Sequence, residues 1–573
     1  MKQKAVPILP FVTKTHRDSN DFQETAARGQ AVLNSPRLNK GAAFSAVERK
    51  ALGLTGLLPA EISTLEQQVR QAYIQYVRLP DVLSKNSYLT ALHDRNEVLF
   101  YRLLSEHVLE MIPIVNDLAP ALEQAHLECS PPRGVYLSIG QPEAIQEAFL
   151  NLGVGPNDID LILATDAEQI LGLGDWGVGG IEVSVGKLAI CTAAGGINPR
   201  RVIAVMLDVG TNREALLNDP TYIGNRHPRI RGDRYDAFLD NYVKAVTNLF
   251  PNAMLQWEDF APGNSRRILE KYRDQICTFN DNMQGTGAIV LAAAISAVRV
   301  CGTPLRNQRI VIFGAGTAGV GVADQLCDAM MRDGLSKAEA AKHFWLVDRQ
   351  GLLTSDMAGQ LREHQVSYAR PPGQSKGLTL AEVVRQVRPS MLIGASNAPG
   401  SFTEAIVKDM AANTERPIIF PLSDPSARAE ATPTDLIAWT EGRALIATGS
   451  PFPPVTYRGT TYVVAQANNA MLYPGLVLGA IVSRASRISA GMFAAAANAV
   501  SSLVTVRQPG ASLLPHIDDL RSVSSTVAVA VAESAVAEGL ARVSFGDLAQ
   551  QVQDAMWQPR YREIRASKSV GAA

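Results

Sequence analysis

Apolar residues recur at three- and four-residue spacing over 61–77 and 96–112, which predicts helices in a mainly helical region covering residues 1 to about 125. From Gly134 the pattern shortens. Residues 161–164, 202–207 and 254–257 are continuous apolar runs of strand length, followed closely by Asp166, Asp208, Glu258 and Asp259. Ligands of parallel α/β sheets gather at the carboxyl ends of strands, so these acids are natural site candidates. A second α/β stretch opens with a helix over 287–300 and continues with strands over 309–313, 344–347, 391–393 and 417–420. Beyond about residue 470 the chain is alanine-rich and helical, with a polar tail from Trp557. The segment 365–377, with Pro371-Pro-Gly-Gln-Ser inside it, has the composition of a mobile loop.

The length, 573 residues, exceeds one core and implies two to four structural units. Lysine and arginine total 54 against 55 aspartates and glutamates, so no surplus of positive charge points to nucleic acid or a membrane surface. The longest uncharged run, 459–483, is interrupted by Gln466, Asn468, Asn469 and Pro474-Gly475, which argues against a membrane span. Five scattered cysteines without a C-x-x-C pair suit reduced thiols. The first residues lack the apolar stretch of a signal peptide, and a cytoplasmic protein is expected.

The clearest motif is G-x-G-x-x-G at Gly314, Ala315, Gly316, Thr317, Ala318 and Gly319, after a predicted strand and before a helix. The first glycine permits the tight turn and the second lets backbone approach a pyrophosphate at a helix N-terminus. Asp348 ends the next predicted strand, where a ribose hydroxyl needs an acceptor. An acid there favours NAD and repels the 2′-phosphate of NADP, although Arg349 beside it could accommodate that phosphate. NAD is the expected cofactor and NADP the weaker alternative. Glu258 and Asp259 form an adjacent acid pair, with Asp281 some twenty residues on, a set that suits a hard cation such as Mg²⁺ or Mn²⁺. An isolated Glu-Asp pair is usually a solvated turn. Lys187 and the dinucleotide motif tilt the reading toward metal.

Several blocks in order and spacing resemble the malic enzyme family. They include Thr-Asp-Ala-Glu-Gln-Ile-Leu-Gly-Leu-Gly-Asp at 165–175, Val-Gly-Lys-Leu at 185–188, Trp-Glu-Asp-Phe at 257–260 and Thr-Phe-Asn-Asp-Asn-Met-Gln-Gly-Thr at 278–286. The segments at 38–44, 208–212, 447–452 and 468–475 extend the resemblance over nearly the whole chain. It implies an α/β fold with a helical N-terminal domain (1–127), a parallel α/β catalytic domain (128–285) completed by a helical return segment (470–545), a Rossmann-type NAD-binding domain (286–469) and a C-terminal tail (546–573). It further implies Lys187 as general base, with Asp281 setting its protonation. Glu258, Asp259 and Asn282 fall at metal-ligand positions. Gln169, Asn468 and Asn469 lie toward substrate, with Asp424 and Asn469 near the cofactor. A homodimer or homotetramer is the expected assembly.

The departures from the family are chemical. No tyrosine stands between Tyr101 and Tyr136, where the family's acid follows a Met-Pro-Ile-Val-type run; Asn116 follows Ile112-Pro-Ile-Val here, with Asp117 and His126 as substitutes in reach along the chain. Gln169 replaces a carboxylate-binding arginine, losing the charge and the bidentate fork. Asn282 replaces a third ligand aspartate, and Asp424 an asparagine. Gln169 and Asp424 each make the pocket less positive by one unit, while Asn282 restores one. The expectation is an NAD-dependent oxidoreductase that oxidises a 2-hydroxy acid, malate or a relative, with or without decarboxylation. The alternative is a catalytically silent paralogue that binds dinucleotide.

Overall fold

The computed structural model describes residues 22–116, 133–170, 173–357, 359–371, 373, 377–506 and 508–567. They fall into two compact units. The first takes in residues 22–160, 178–253 and 557–567 of the described chain, and the second 161–177 and 254–556.

In the first unit, helix Leu65–Val77 begins with a capping box, Thr64 accepting from Gln67 N and Gln67 reciprocating on Thr64 N. Its Val69, Ala72 and Tyr76 pack with Leu92, Leu103, Leu104 and Met111 from the next helices, and with Ala189 and Ala193 of helix Ile181–Gly195. The apolar pattern over 96–112 resolves into two helices, Glu97–Glu106 and Val108–Asn116. Between them His107 leaves helical geometry (φ −126°, ψ 42°) and stacks on Tyr73 at 3.7 Å, an interruption invisible to periodicity. Strands Val135–Ser138 and Val202–Asp208 pair in parallel. The polar tail is not merely a tail. Strand Glu563–Ala566 pairs in parallel with Phe22–Thr25, Ile564 N donates to Glu48 Oε1 (2.7 Å), and Glu48 is ion-paired to buried Lys40.

The second unit holds the parallel strands Leu161–Thr165, Met254–Glu258 and Thr278–Asn280, and a seven-stranded sheet. In that sheet Ile310–Phe313 has Phe344–Asp348 on one side and Met391–Gly394 on the other, followed outward by Ile418–Pro421 and Leu445–Thr448. Chain direction through the sheet therefore reverses between Ile310–Phe313 and Met391–Gly394, and the crevice beyond their carboxyl ends is a topological switch point. Val311, Val347, Leu392, Ile419 and Ile446 supply one core face.

Among the described residues, three helical stretches, Gly177–Gly195, Asp281–Cys301 and Ile517–Ala537, have the length and apolarity of membrane spans; 83%, 61% and 44% of their apolar windows are buried within the protein. Burial inside the core accounts for that composition in the first two. Among the described residues, Cys191, Cys277, Cys301 and Cys327 are free thiols.

Candidate active site

The glycine loop lies at the switch point. Gly314 has φ 101°, and a Cβ there would collide with the carbonyl of Ala395 on the neighbouring strand end, so only glycine fits. At Gly316 a Cβ would meet nothing within 4 Å, and helix Thr317–Arg332 starts there with no side-chain cap. The first-turn N–H groups have no side-chain cap and the Cβ side of Gly316 is open, an arrangement, or cradle, suited to a pyrophosphate. At Gly319 a Cβ would strike the Gly314 carbonyl, so the loop and the helix are closely packed on each other.

Asp348 ends strand Phe344–Asp348; its Oδ1 accepts from Arg349 N (2.9 Å) and its Oδ2 from Gln365 Nε2 (3.2 Å). The same Gln365 nitrogen donates to Ala315 O (2.9 Å), tying the acid to the loop. The composition of 365–377 predicts a mobile loop that begins at Gln365. Gln365 is instead buried within the short helix Glu363–Val366, while residues 372 and 374–376 of that segment lie outside the described residues. Gln365 was missed because a single buried amide in a polar stretch has no periodic signal. Beside it, burial together with the Arg266 and Arg362 guanidiniums pushes His364 down to about 4, against an opposing pull from Asp324 and Asp348.

Across the crevice, Glu430 is fully buried and gathers two loops. It accepts from Ser396 N (2.9 Å), Ser396 Oγ (2.7 Å), Ser423 N (3.3 Å) and Ser423 Oγ (2.5 Å). The Ser423 loop carries Asp424, whose carboxylate accepts from Ser450 Oγ. Sequence reasoning passed over Glu430, whose role is visible only through its burial.

The acids occupy the turns after the second unit's parallel strands. Asp166 is fully buried and accepts from Glu168 N (3.1 Å); the next residue, Ala167, has φ 53°. Gln169 donates its backbone N–H to Asp259 O (2.9 Å), and its side chain is exposed. Glu258 is fully buried and accepts from Gln256 Nε2 (3.2 Å). Asp259 has φ 58° and is joined to Asn282 by two bonds: Asp259 N donates to Asn282 Oδ1 (2.9 Å) and Asn282 Nδ2 to Asp259 Oδ1 (3.1 Å). Asp281, also fully buried, accepts from Asn469 Nδ2 at 2.6 Å. Asn468 uses its oxygen to cap Ala470 N (2.9 Å).

This turn meets the nucleotide helix directly. A Cβ on Gly321 would lie 2.5 Å from Met283 O, so Asp281–Gly285 rests backbone to backbone on helix Thr317–Arg332. The structure thus brings Asp281, Asn282, Asn469, Glu258 and Asp259 together with the cradle in one unit. Lys187 belongs to the other unit, where it is 7% exposed on helix Ile181–Gly195. Asp117 and His126 lie outside the described residues.

The cradle fits a dinucleotide. The donor set does not fit a resident divalent cation in the same way. Among the described residues no three His, Cys, Asp or Glu side chains come together as a metal cage, and the oxygen of Asn282 is committed to Asp259 N.

A switch-point cradle resting on a turn of buried acids defines a dinucleotide-binding α/β protein. Comparison with known proteins narrows the class. Residues 93–273 match the family profile described as "Malic enzyme, N-terminal domain", and 283–536 that of "Malic enzyme, NAD binding domain". The chain is 55% identical to "NAD-dependent malic enzyme 3" of Bacillus subtilis, across 95% of this chain and 98% of that one. It is 46% identical to the "Malolactic enzyme" of Leuconostoc mesenteroides, across 93% and 99%. The crystal structure of the Entamoeba histolytica malic enzyme shares the fold, with a TM-score of 0.55 at 20% identity over 90% of this chain and 92% of that one. The chain belongs to the malic enzyme family.

Proposed function

We infer that the protein oxidises a 2-hydroxy acid, malate or a close relative, with NAD as electron acceptor. The observation that carries this reading is the packing of the Asp281 turn on the cradle helix, which ties the buried acid and its Asn469 partner to the nucleotide loop. The names of the relatives, an NAD-dependent malic enzyme and a malolactic enzyme, support malate as the first substrate to test. Asp348, held by neutral Gln365, supports NAD over NADP, because a carboxylate there repels a 2′-phosphate.

Bound NAD supplies the hydride acceptor. Lys187 removes the substrate hydroxyl proton, by the family match at Val-Gly-Lys-Leu. By the same family match Asp281 is assigned to set the protonation of that lysine, and Asn469 Nδ2 donates to the Asp281 carboxylate. Asn469 also faces substrate, and Gln169 offers an amide where the family offers a guanidinium. Asp424 makes the pocket less welcoming to a second substrate carboxylate. No step is assigned to Mg²⁺ or Mn²⁺, whose expected ligands are Glu258, Asp259 and Asn282. Homodimer or homotetramer assembly belongs to the same reading and is checked by light scattering.

The test is NAD reduction by purified protein with malate, with and without Mn²⁺, alongside assays for pyruvate and lactate. Reduction with matching pyruvate supports oxidative decarboxylation. No reduction with malate or a panel of 2-hydroxy acids, in protein that binds NADH, would overturn the reading. The silent-paralogue alternative draws on the missing tyrosine and on Gln169, and predicts that second outcome.

A further inference from the structure

Glu258, Asp259 and Asp281 each accept a hydrogen bond from a side-chain amide: Glu258 from Gln256 (3.2 Å), Asp259 from Asn282 (3.1 Å) and Asp281 from Asn469 (2.6 Å). The Asn282 contact is the most informative, because it is double. Its oxygen takes the backbone N–H of Asp259 while its nitrogen donates to that residue's carboxylate. The orientation is therefore fixed. Turned over, the amide would set N–H against N–H and oxygen against carboxylate.

An aspartate at 282 would keep the first bond but bring a second anionic oxygen to the place of Asn282 Nδ2, near 3.1 Å from Asp259 Oδ1. Two carboxylate oxygens at that spacing, in a residue only 3% exposed, repel each other unless a cation lies between them. The spacing matches the roughly 3 Å edge of an octahedron with ligands at 2.0–2.1 Å, the geometry Mg²⁺ demands. The amide N–H meets the same electrostatic need from within the chain.

We propose that Asn282 takes the place of a divalent cation at the Asp259 edge of the site, so that the chain assembles its pocket without resident Mg²⁺ or Mn²⁺ and binds either ion weakly. Binding an ion at 258, 259 and 282 requires displacing the Asn282 N–H from the Asp259 carboxylate and gains only a neutral oxygen from residue 282. The inference rests on the family match that makes these ligand positions.

The experiment titrates Mn²⁺ alone into the full chain, followed by electron paramagnetic resonance of the free ion, for the wild type and Asn282→Asp. The variant is expected to bind Mn²⁺ about tenfold more tightly or better, the scale on which groups around a metal site act. Its Tm should also rise with Mn²⁺, while that of the wild type stays put. Equal affinities would overturn the proposal, as would failure of folded Asn282→Asp to bind the ion. A chelator arm needs no variant: exhaustive EDTA treatment should leave wild-type Tm and NADH binding unchanged, and a drop in either would overturn the proposal. None of these readouts requires turnover, so failure to oxidise any hydroxy acid remains a separate result.

Discussion

The glycine cradle and the acid turns lie in one compact unit and touch through Gly321 and Met283, yet they depart from the family to different degrees. The cradle retains its three glycines and the acid after the next strand. Around the acid turns, by the resemblance read in the sequence, Gln169 stands for an arginine, Asn282 for an aspartate and Asp424 for an asparagine. The difference follows from how each recognises its target. A phosphate cradle is built of backbone N–H groups, and its requirement is steric: no side chain at Gly314, none over Gly316. The acid turns work through side-chain charge, which one substitution changes without disturbing the backbone. Scaffold and cofactor site can therefore persist while the reacting end is retuned.

The largest expected effect separates chemistry from binding. Lys187→Ala should lower turnover by about 10²–10⁴-fold, the usual worth of a general base, while NADH binding by fluorescence stays at the wild-type level. Full activity in that variant would remove the lysine from the mechanism. The cradle has the mirror-image test. Gly316→Val places its side chain in open space, so Tm should hold while NADH affinity drops by about tenfold or more, since the branch fills the pyrophosphate position. Unchanged affinity would mean that nucleotide binds elsewhere.

Asp424→Asn removes one negative charge and leaves an acceptor for Ser450. Its KM for malate should fall by about tenfold, equivalent to roughly 1.4 kcal/mol, if that charge opposes the substrate. An unchanged KM would detach Asp424 from substrate recognition.

Acid titration probes the cradle side and the first unit together. Burial, reinforced by arginines, pushes His364 down to about 4 and His93 to about 3, both below the ordinary histidine value. The unfolded chain therefore takes up these protons first. Stability should be full above about pH 6.5 and fall as pH drops toward 4, by up to about 1.4 kcal/mol per pH unit for each histidine. His364→Gln should remove its share of that slope in urea unfolding; an unaltered slope would contradict the assignment. The smallest effect concerns strain at the acid turns. Ala167 holds φ 53°, where glycine is at ease, so Ala167→Gly should raise stability by about 1 kcal/mol. A loss of stability would mean that the methyl group packs to better effect than the backbone relaxes.

The strands were legible because both of their faces are apolar: the runs at 161–164, 254–257 and 391–393 form strands a residue or so longer than predicted. The glycine loop could be read because its geometry forbids other residues. Interactions joining distant parts of the chain could not. Gln365 reaches Ala315 across fifty positions and Asn469 reaches Asp281 across nearly two hundred, and neither pairing has a local pattern. The break at His107 depends on a ring thirty-four positions earlier. Resemblance marked Asn282 as a substituted ligand, while its two hydrogen bonds to Asp259 exist only once the fold brings the two turns together.

The pairing of Phe22–Thr25 with Glu563–Ala566 bears on the order in which the protein is made. The first unit resumes only at Trp557, after residues 254–556 have been added to the other unit. At roughly 5–20 residues per second, that interval lasts on the order of fifteen to sixty seconds on the ribosome. Throughout it the edge of Phe22–Thr25 lacks its strand partner, Glu48 lacks the Ile564 N–H and Gln68 lacks the Tyr561 hydroxyl. The nascent chain thus holds Phe22–Thr25, Glu48 and Gln68 without these partners until residues 561–566 emerge, and the pairing that completes the first unit is among the last contacts to form.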